Sequence, residues 1–132
     1  MTDIKIACCS DVMKPIEASA CCTPLESAAH AARAIRDSAC GCAPVVQDSK
    51  NLKLVGVITE HDVCCGTAAL DRRASEVRVQ EIMRPATACC EAGESIASVR
   101  QQLHTHRTTS LPVVDKLGDC CGTVSIHHLE MV

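Results

Sequence analysis

The sequence predicts an α+β protein made of one unit written twice, and three observations carry that reading. A set of landmarks recurs in the same order in both halves: Met-x-Pro, a helical stretch, Pro-Val-Val, and a glycine followed three positions later by a hydroxyl residue. The spacing drifts slowly, with 70 positions between Met13 and Met83, 68 between Pro44 and Pro112, and 66 between Gly56 and Gly122. Short loop deletions produce such a drift, and an internal period of this kind marks a repeated structural unit. The third observation is the absence of Phe, Tyr and Trp, so the core must be built from Val, Ile, Leu, Ala, Met and Cys.

Each copy divides into the same elements. The first begins Asp11-Val12-Met13-Lys14-Pro15 and the second Glu81-Ile82-Met83-Arg84-Pro85. In the first, Thr23-Pro24-Leu25-Glu26 reads as a helix start, with Thr23 as cap, Pro24 in the first turn and Glu26 reaching back. Leu25, Ala28, Ala32 and Ile35 then share one helical face, as do Ile96, Val99 and Leu103 in the second copy behind a weaker cap. A short buried strand follows, Ala43-Pro44-Val45-Val46 or Leu111-Pro112-Val113-Val114, with proline expected at its entrance, where a missing N–H matters least. Polar turns (47–51 and 116–119) lead to a second apolar strand containing Gly56 or Gly122. Each strand ends at Thr59 or Ser125, where another helix can begin. The boundaries expected are 1–70 for the first unit with its N-terminal segment, 71–79 for a charged linker, and 80–132 for the second unit.

Composition narrows the function. A chain of 132 residues with 47% hydrophobic content folds without needing a metal or disulfide. No apolar run approaches the roughly 18 residues of a membrane helix, and charges stand where a signal peptide would be apolar. A soluble cytoplasmic protein is expected. A net charge of −3 gives no general attraction to nucleic acid, so any phosphate must be held by a local site.

The ordered series Met-x-Pro, amphipathic helix, x-Pro-Val-Val, Val-Gly-Val-Ile-Thr-x-x-Asp resembles the CBS motif, present in two copies from about Asp11 to Leu129. The resemblance implies two β-α-β-β-α units packed sheet to sheet about a pseudo-twofold axis, a Bateman module. It implies two clefts between the units for AMP, ADP, ATP or a related adenosyl ligand, and a homodimer regulating a partner of unknown identity. With the pair covering the chain, a stand-alone regulatory module is expected, with no catalytic residues, no metal and no required cofactor.

Carried over residue by residue, the resemblance places a nucleotide at Thr59-Glu60-His61-Asp62. Ionised Asp62 would accept both ribose hydroxyls in charge-assisted bonds, and Thr59 would present phosphate to free N–H groups at a helix start. His61 would add positive charge. The base would lie beside Cys42, Ala43 and Pro44 and the segment after Pro15, at Ile16 and Ala18. Thr59 and Asp62 also serve equally well as helix caps.

The second copy departs from this pattern, reading Ser125-Ile126-His127-His128. A neutral imidazole accepts one hydrogen bond where a carboxylate takes two hydroxyls. Losing one charge-assisted bond of about 1.5–3 kcal/mol weakens binding about ten- to a hundredfold. A second, weaker cleft is therefore expected around Thr87, Ser110, Leu111, Pro112, Ser125, His127 and His128. Protonation of His127 and His128 below about pH 6.5 is an alternative route to phosphate.

Ten of the 12 cysteines stand in adjacent pairs, as at Cys8-Cys9 and Cys89-Cys90. Strand neighbours point to opposite faces, so such pairs poorly serve one metal. Buried thiols pack as small hydrophobes, and no Cys-x-x-Cys is written. A cysteine-based redox or metal sensor, with Cys40-Gly41-Cys42 beside the expected base position, is the alternative function. A purely structural dimerisation module is another.

Overall fold

The computed structural model describes residues 8–16, 21–38, 41–86 and 88–130, and it contains two similar α+β bodies. In the first body, β2 (Cys42–Val46) pairs antiparallel with β3 (Leu54–Thr59), flanked by helices α1 (Ala28–Ser38) and α2 (Glu60–Gly66). In the second, β4 (Cys90–Glu91) runs parallel to β5 (Ser110–Val114), and β5 pairs antiparallel with β6 (Cys120–Ser125). Helices α4 (Ile96–Thr105) and α5 (Ile126–Glu130) flank that sheet. Cys22 bridges Val45 in parallel, just as Cys90 pairs with Val113.

Each body completes its sheet with the other copy's lead-in segment. Strand β1 (Lys14–Pro15) pairs with β6, giving the four-stranded order β1-β6-β5-β4. The equivalent segment of the second copy, after the short helix α3 (Val79–Ile82), crosses to the first body. There Arg84 and Val57 exchange two backbone hydrogen bonds of 2.9 Å. This crossing explains the two glycines. A Cβ on Gly56 would meet the Arg84 carbonyl at 2.8 Å, and one on Gly122 would collide with the Lys14 carbonyl. Glycine is required wherever another backbone approaches so closely.

The cores follow the same exchange. Cys22, Ala31, Ile35, Val45 and Ile58 pack in the first body together with Val79 from the second copy's lead-in. Cys90, Val99, Leu103, Val113, Val124 and Leu129 pack in the second together with Cys9 from the first copy's lead-in. Without aromatic rings, contact is made by many small side chains, each contributing area-proportional burial.

Two sequence expectations change. Helix α1 starts at Ala28, where the Ser27 hydroxyl caps the His30 N–H at 3.1 Å. Thr23 and Glu26 do bond reciprocally, the Thr23 N–H donating to Glu26 Oε1 at 2.7 Å, but they close a turn before the helix. The carbonyls of Pro24 and Glu26 are taken by the N–H groups of Gln80 and Val79, so the chain cannot coil there and Leu25 stays 66% exposed. The prolines stand third in their five-residue strands rather than at the entrance. Pro44 fits because it only has to accept, its carbonyl taking the Cys22 N–H at 2.9 Å. In the stretch 71–79, expected as the linker, Ala74–Glu76 forms a 3₁₀ turn, Val77 is fully buried, and its carbonyl accepts the Ala28 N–H at 2.7 Å.

Candidate functional site: the cleft between the copies

The polar turns and strand ends converge at the junction of the two bodies. Cys42 at the start of β2 and Ser110 at the start of β5 touch across it, Sγ to Oγ at 3.0 Å. Beside them opens a cleft with two adjoining lobes. The inner lobe, about 360 Å³, is largely apolar at its walls: Val57, Pro85, Ala88, Leu111 and Pro112. The outer lobe, about 490 Å³, carries His61, Arg84, His106 and Arg107, with Glu60 the one acidic group among its lining residues. Thr59, Cys42, Arg84, His106, Thr108 and Ser110 line both lobes. Cavities of roughly 300–1,000 Å³ with apolar walls and a few convergent polar groups suit small ligands.

Helix α2 opens on this cleft. Thr59 is its N-cap, with the Oγ1 accepting the Asp62 N–H at 3.1 Å and Asp62 Oδ2 accepting the Thr59 N–H at 3.0 Å. The other carboxylate oxygen accepts Arg84 Nε at 2.7 Å. Asp62 is therefore buried behind Arg84 and is not among the residues lining either lobe. The helix start offers fewer donors than expected, since the Glu60 N–H bonds the Gly41 carbonyl at 3.2 Å and the Asp62 N–H is used by Thr59. Positive charge in the outer lobe comes instead from side chains.

At the matching place in the second body, His128 takes the capping role. Its Nδ1 accepts the Ser125 N–H at 3.1 Å. That bond uses the one acceptor a neutral imidazole has. Burial, and after it the neighbouring Lys14 and His127, hold His128 below the ordinary imidazole range. His128 therefore takes up its proton at a lower pH than an ordinary imidazole. Lys14 occupies the position equivalent to Arg84 and lies near the His128 imidazole, and its Nζ donates to the Ser38 carbonyl at 3.4 Å.

The sequence-predicted residues are redistributed by the crossing of the lead-in segments. Thr59, His61 and Cys42 meet at one cleft. Ala43 and Pro44 are buried in the sheet below it. Ile16 lies beside β6, its N–H donating to the Cys121 carbonyl at 2.9 Å, so it belongs to the second body and not beside Thr59. Ser110, Leu111 and Pro112, expected in the second cleft, line the cleft of Thr59. Ser125, His127 and His128 stay together at the start of α5. Ala18, Thr87 and Cys40 lie outside the described residues. Sequence reasoning missed Arg84, Pro85, Ala88, His106 and Arg107. The basic run His104-Thr105-His106-Arg107 just before β5 was the available signal for two of them.

In four of the adjacent cysteine pairs one member is buried and the other half-buried: Cys9, Cys22, Cys90 and Cys120 are buried while Cys8, Cys21, Cys89 and Cys121 are half-buried. Burial above all pushes the thiols of Cys9, Cys22, Cys90 and Cys120 up to about 12. Cys64 and Cys65 on α2 are exposed. Among the described residues no three His, Cys, Asp or Glu side chains form a metal-sized group, and no helix is long and apolar enough to cross a membrane.

Comparison with known proteins fits this architecture. The chain is 32% identical over 89 residues to inosine-5'-monophosphate dehydrogenase from Streptococcus pyogenes; the match takes in 67% of this chain and 17% of the dehydrogenase. Among solved structures, Hypoxic Response Protein I with two coordinated zinc ions superposes with a TM-score of 0.80 at 19% identity, covering 94% of this chain and 97% of that one. CBSX2, a CBS-pair protein of Arabidopsis thaliana solved in complex with AMP, gives a TM-score of 0.78 at 20% identity, covering 94% of this chain and 93% of that one. The CBS domain itself matches residues 9–64 and again residues 79–130. The chain belongs to the CBS domain family and carries the domain as a tandem pair.

Proposed function

We propose that the cleft at Thr59 binds an adenine nucleotide (AMP, ADP, ATP or a related adenosyl compound) and that its occupancy is relayed to a partner protein. The observation that carries this is the division of the cleft into two lobes. A purine requires flat apolar walls, which Val57, Pro85, Ala88, Leu111 and Pro112 supply. Phosphates require cations and hydrogen-bonding groups, and Arg84 and Arg107 stand with the ring nitrogens of His61 and His106 in the adjoining lobe. The capture of AMP by CBSX2, a protein of the same fold, supports the ligand class.

The reading also proposes asymmetry, with the cleft at His128 weaker, because its imidazole is already committed to the Ser125 N–H. It further proposes a homodimer through the helical face. A groove of about 690 Å³ runs between α4 and α5, with Leu103 and Leu129 at its base and Ile126 41% exposed beside it.

The test begins with the ultraviolet spectrum of protein purified under reducing conditions. A chain without Trp or Tyr is nearly transparent where adenine absorbs, so a bound adenine compound shows directly and mass spectrometry names it. Calorimetric titration with AMP, ADP and ATP follows. A blank spectrum together with no heat of binding for any of the three overturns the proposal.

A further inference from the structure

Asp62 has both carboxylate oxygens in use: Oδ2 holds the helix cap and Oδ1 holds the Arg84 guanidinium at 2.7 Å. Asp62 is 6% exposed behind that guanidinium and lines neither lobe, so a ribose reaches Oδ1 only when Arg84 moves aside. The two partners differ in freedom, however. Asp62 is 6% exposed and fixed in the capping box, whereas the Arg84 side chain is 60% exposed. The Arg84 backbone is pinned to Val57 by paired 2.9 Å bonds, so the guanidinium can leave Asp62 by rotating about its own side chain without moving the fold. The space it would move through is the outer lobe, which it already lines with His61, His106 and Arg107.

We infer that Arg84 makes this cleft select phosphorylated adenosines over adenosine by exchanging partners. The ribose takes Oδ1 of Asp62, and the guanidinium it displaces takes the phosphate. Adenosine has to break the same ion pair but gives the guanidinium nothing in return. A nucleotide replaces one charge-assisted contact with two. The inference rests on the nucleotide reading of the cleft. It applies to the cleft at Thr59, because the residue that stands at the place of Asp62 in the second copy is His128, an imidazole and not a carboxylate.

The experiment titrates adenosine and AMP separately into the wild-type protein and into Arg84→Ala by calorimetry under reducing conditions. Circular dichroism confirms the variant is folded, as expected for an exposed side chain. In Arg84→Ala, AMP binds about tenfold more weakly, the loss of one hydrogen bond to a charged group. Adenosine binds about two- to fivefold more tightly, the release of one largely exposed ion pair. Opposite signs are the signature. If both ligands weaken together, or AMP is unaffected, the exchange is wrong while the nucleotide reading stands. If the wild type binds neither ligand, the nucleotide reading fails and the exchange with it. Arg84→Lys gives a second check. Lysine keeps the charge but not the planar fork, so it restores AMP binding in part and leaves adenosine near the wild-type value.

Discussion

Replacing Gly56 by alanine tests the crossing of the lead-in segments, on which both the sheet and the cleft depend. The added methyl would meet the Arg84 carbonyl at 2.8 Å and Met83 Sδ at 3.0 Å. The sulfur can turn aside, but the carbonyl is main chain and accepts the Val57 N–H at 2.9 Å, so the Arg84 segment has to lift away from β3. Overpacking of this kind costs about 1–3 kcal/mol, and two stretched backbone bonds add about 1 kcal/mol each. For a domain of this size each kcal/mol moves Tm by roughly 3–5 °C, so Gly56→Ala is expected to melt roughly 9–25 °C below wild type by circular dichroism. Gly93→Ala is the control. Nothing lies within 4 Å of the Cβ built there, so the substitution is near neutral or slightly stabilising. Equal melting temperatures for the two variants would refute the close approach of Arg84 to β3. Gly56→Ala should also weaken AMP binding, because the displaced segment carries Arg84 and Pro85 into the cleft.

Other outcomes follow from the same geometry. Ile58 is fully buried in the first core, so Ile58→Ala should lose about 2–5 kcal/mol in urea unfolding followed by circular dichroism; a loss below about 1 kcal/mol would contradict that packing. The imidazole of His128 is held below its unfolded value of 6.5, so the unfolded chain binds more protons and stability falls as pH drops below about 6.5. The Tm advantage of wild type over His128→Gln should therefore shrink between about pH 7.5 and pH 5, and a constant difference would show that His128 does not titrate this way. Exposed Cys64 and Cys65 should be alkylated first in the native protein, while Cys9, Cys22, Cys90 and Cys120, raised to about 12 by burial, react only on unfolding. Peptide mapping after brief iodoacetamide treatment reads this directly, and equal labelling of Cys90 and Cys64 would contradict the burial.

The repeat was legible because its landmarks are dictated by local chemistry. Gly56 and Gly122 stand where another backbone approaches, and the Thr59 hydroxyl stands where a helix needs its cap. What could not be read was which sheet each lead-in segment completes. A strand's pattern specifies a face to bury, not whose edge it joins, and Lys14–Pro15 and Arg84 are equally compatible with either body. That one ambiguity misplaced Ile16, sent Leu111 and Pro112 to the other cleft, and hid Arg84. Leu25 was misread through competition: its helical spacing is sound, but the carbonyls around it are taken by Val79 and Gln80. Of the two uses foreseen for Thr59 and Asp62, the cap is formed, with Asp62 fixed in it and paired to the exposed Arg84.

The exchange of lead-in segments means that neither half is a self-contained folding unit. A polypeptide carrying one copy would have a vacant sheet edge and an arm whose β-pairing and apolar anchor, Cys9 or Val79, lie elsewhere. Two such half-length chains would satisfy one another by trading arms. The tandem protein is that traded pair joined by a tether, and the tether turns an encounter between molecules into one within a molecule, at an effective concentration in the millimolar range for short linkers. Stability is thereby freed from protein concentration, and the two halves are released to diverge. One keeps an acidic cap at Asp62, and the other drifts to His128 without losing its place in the fold.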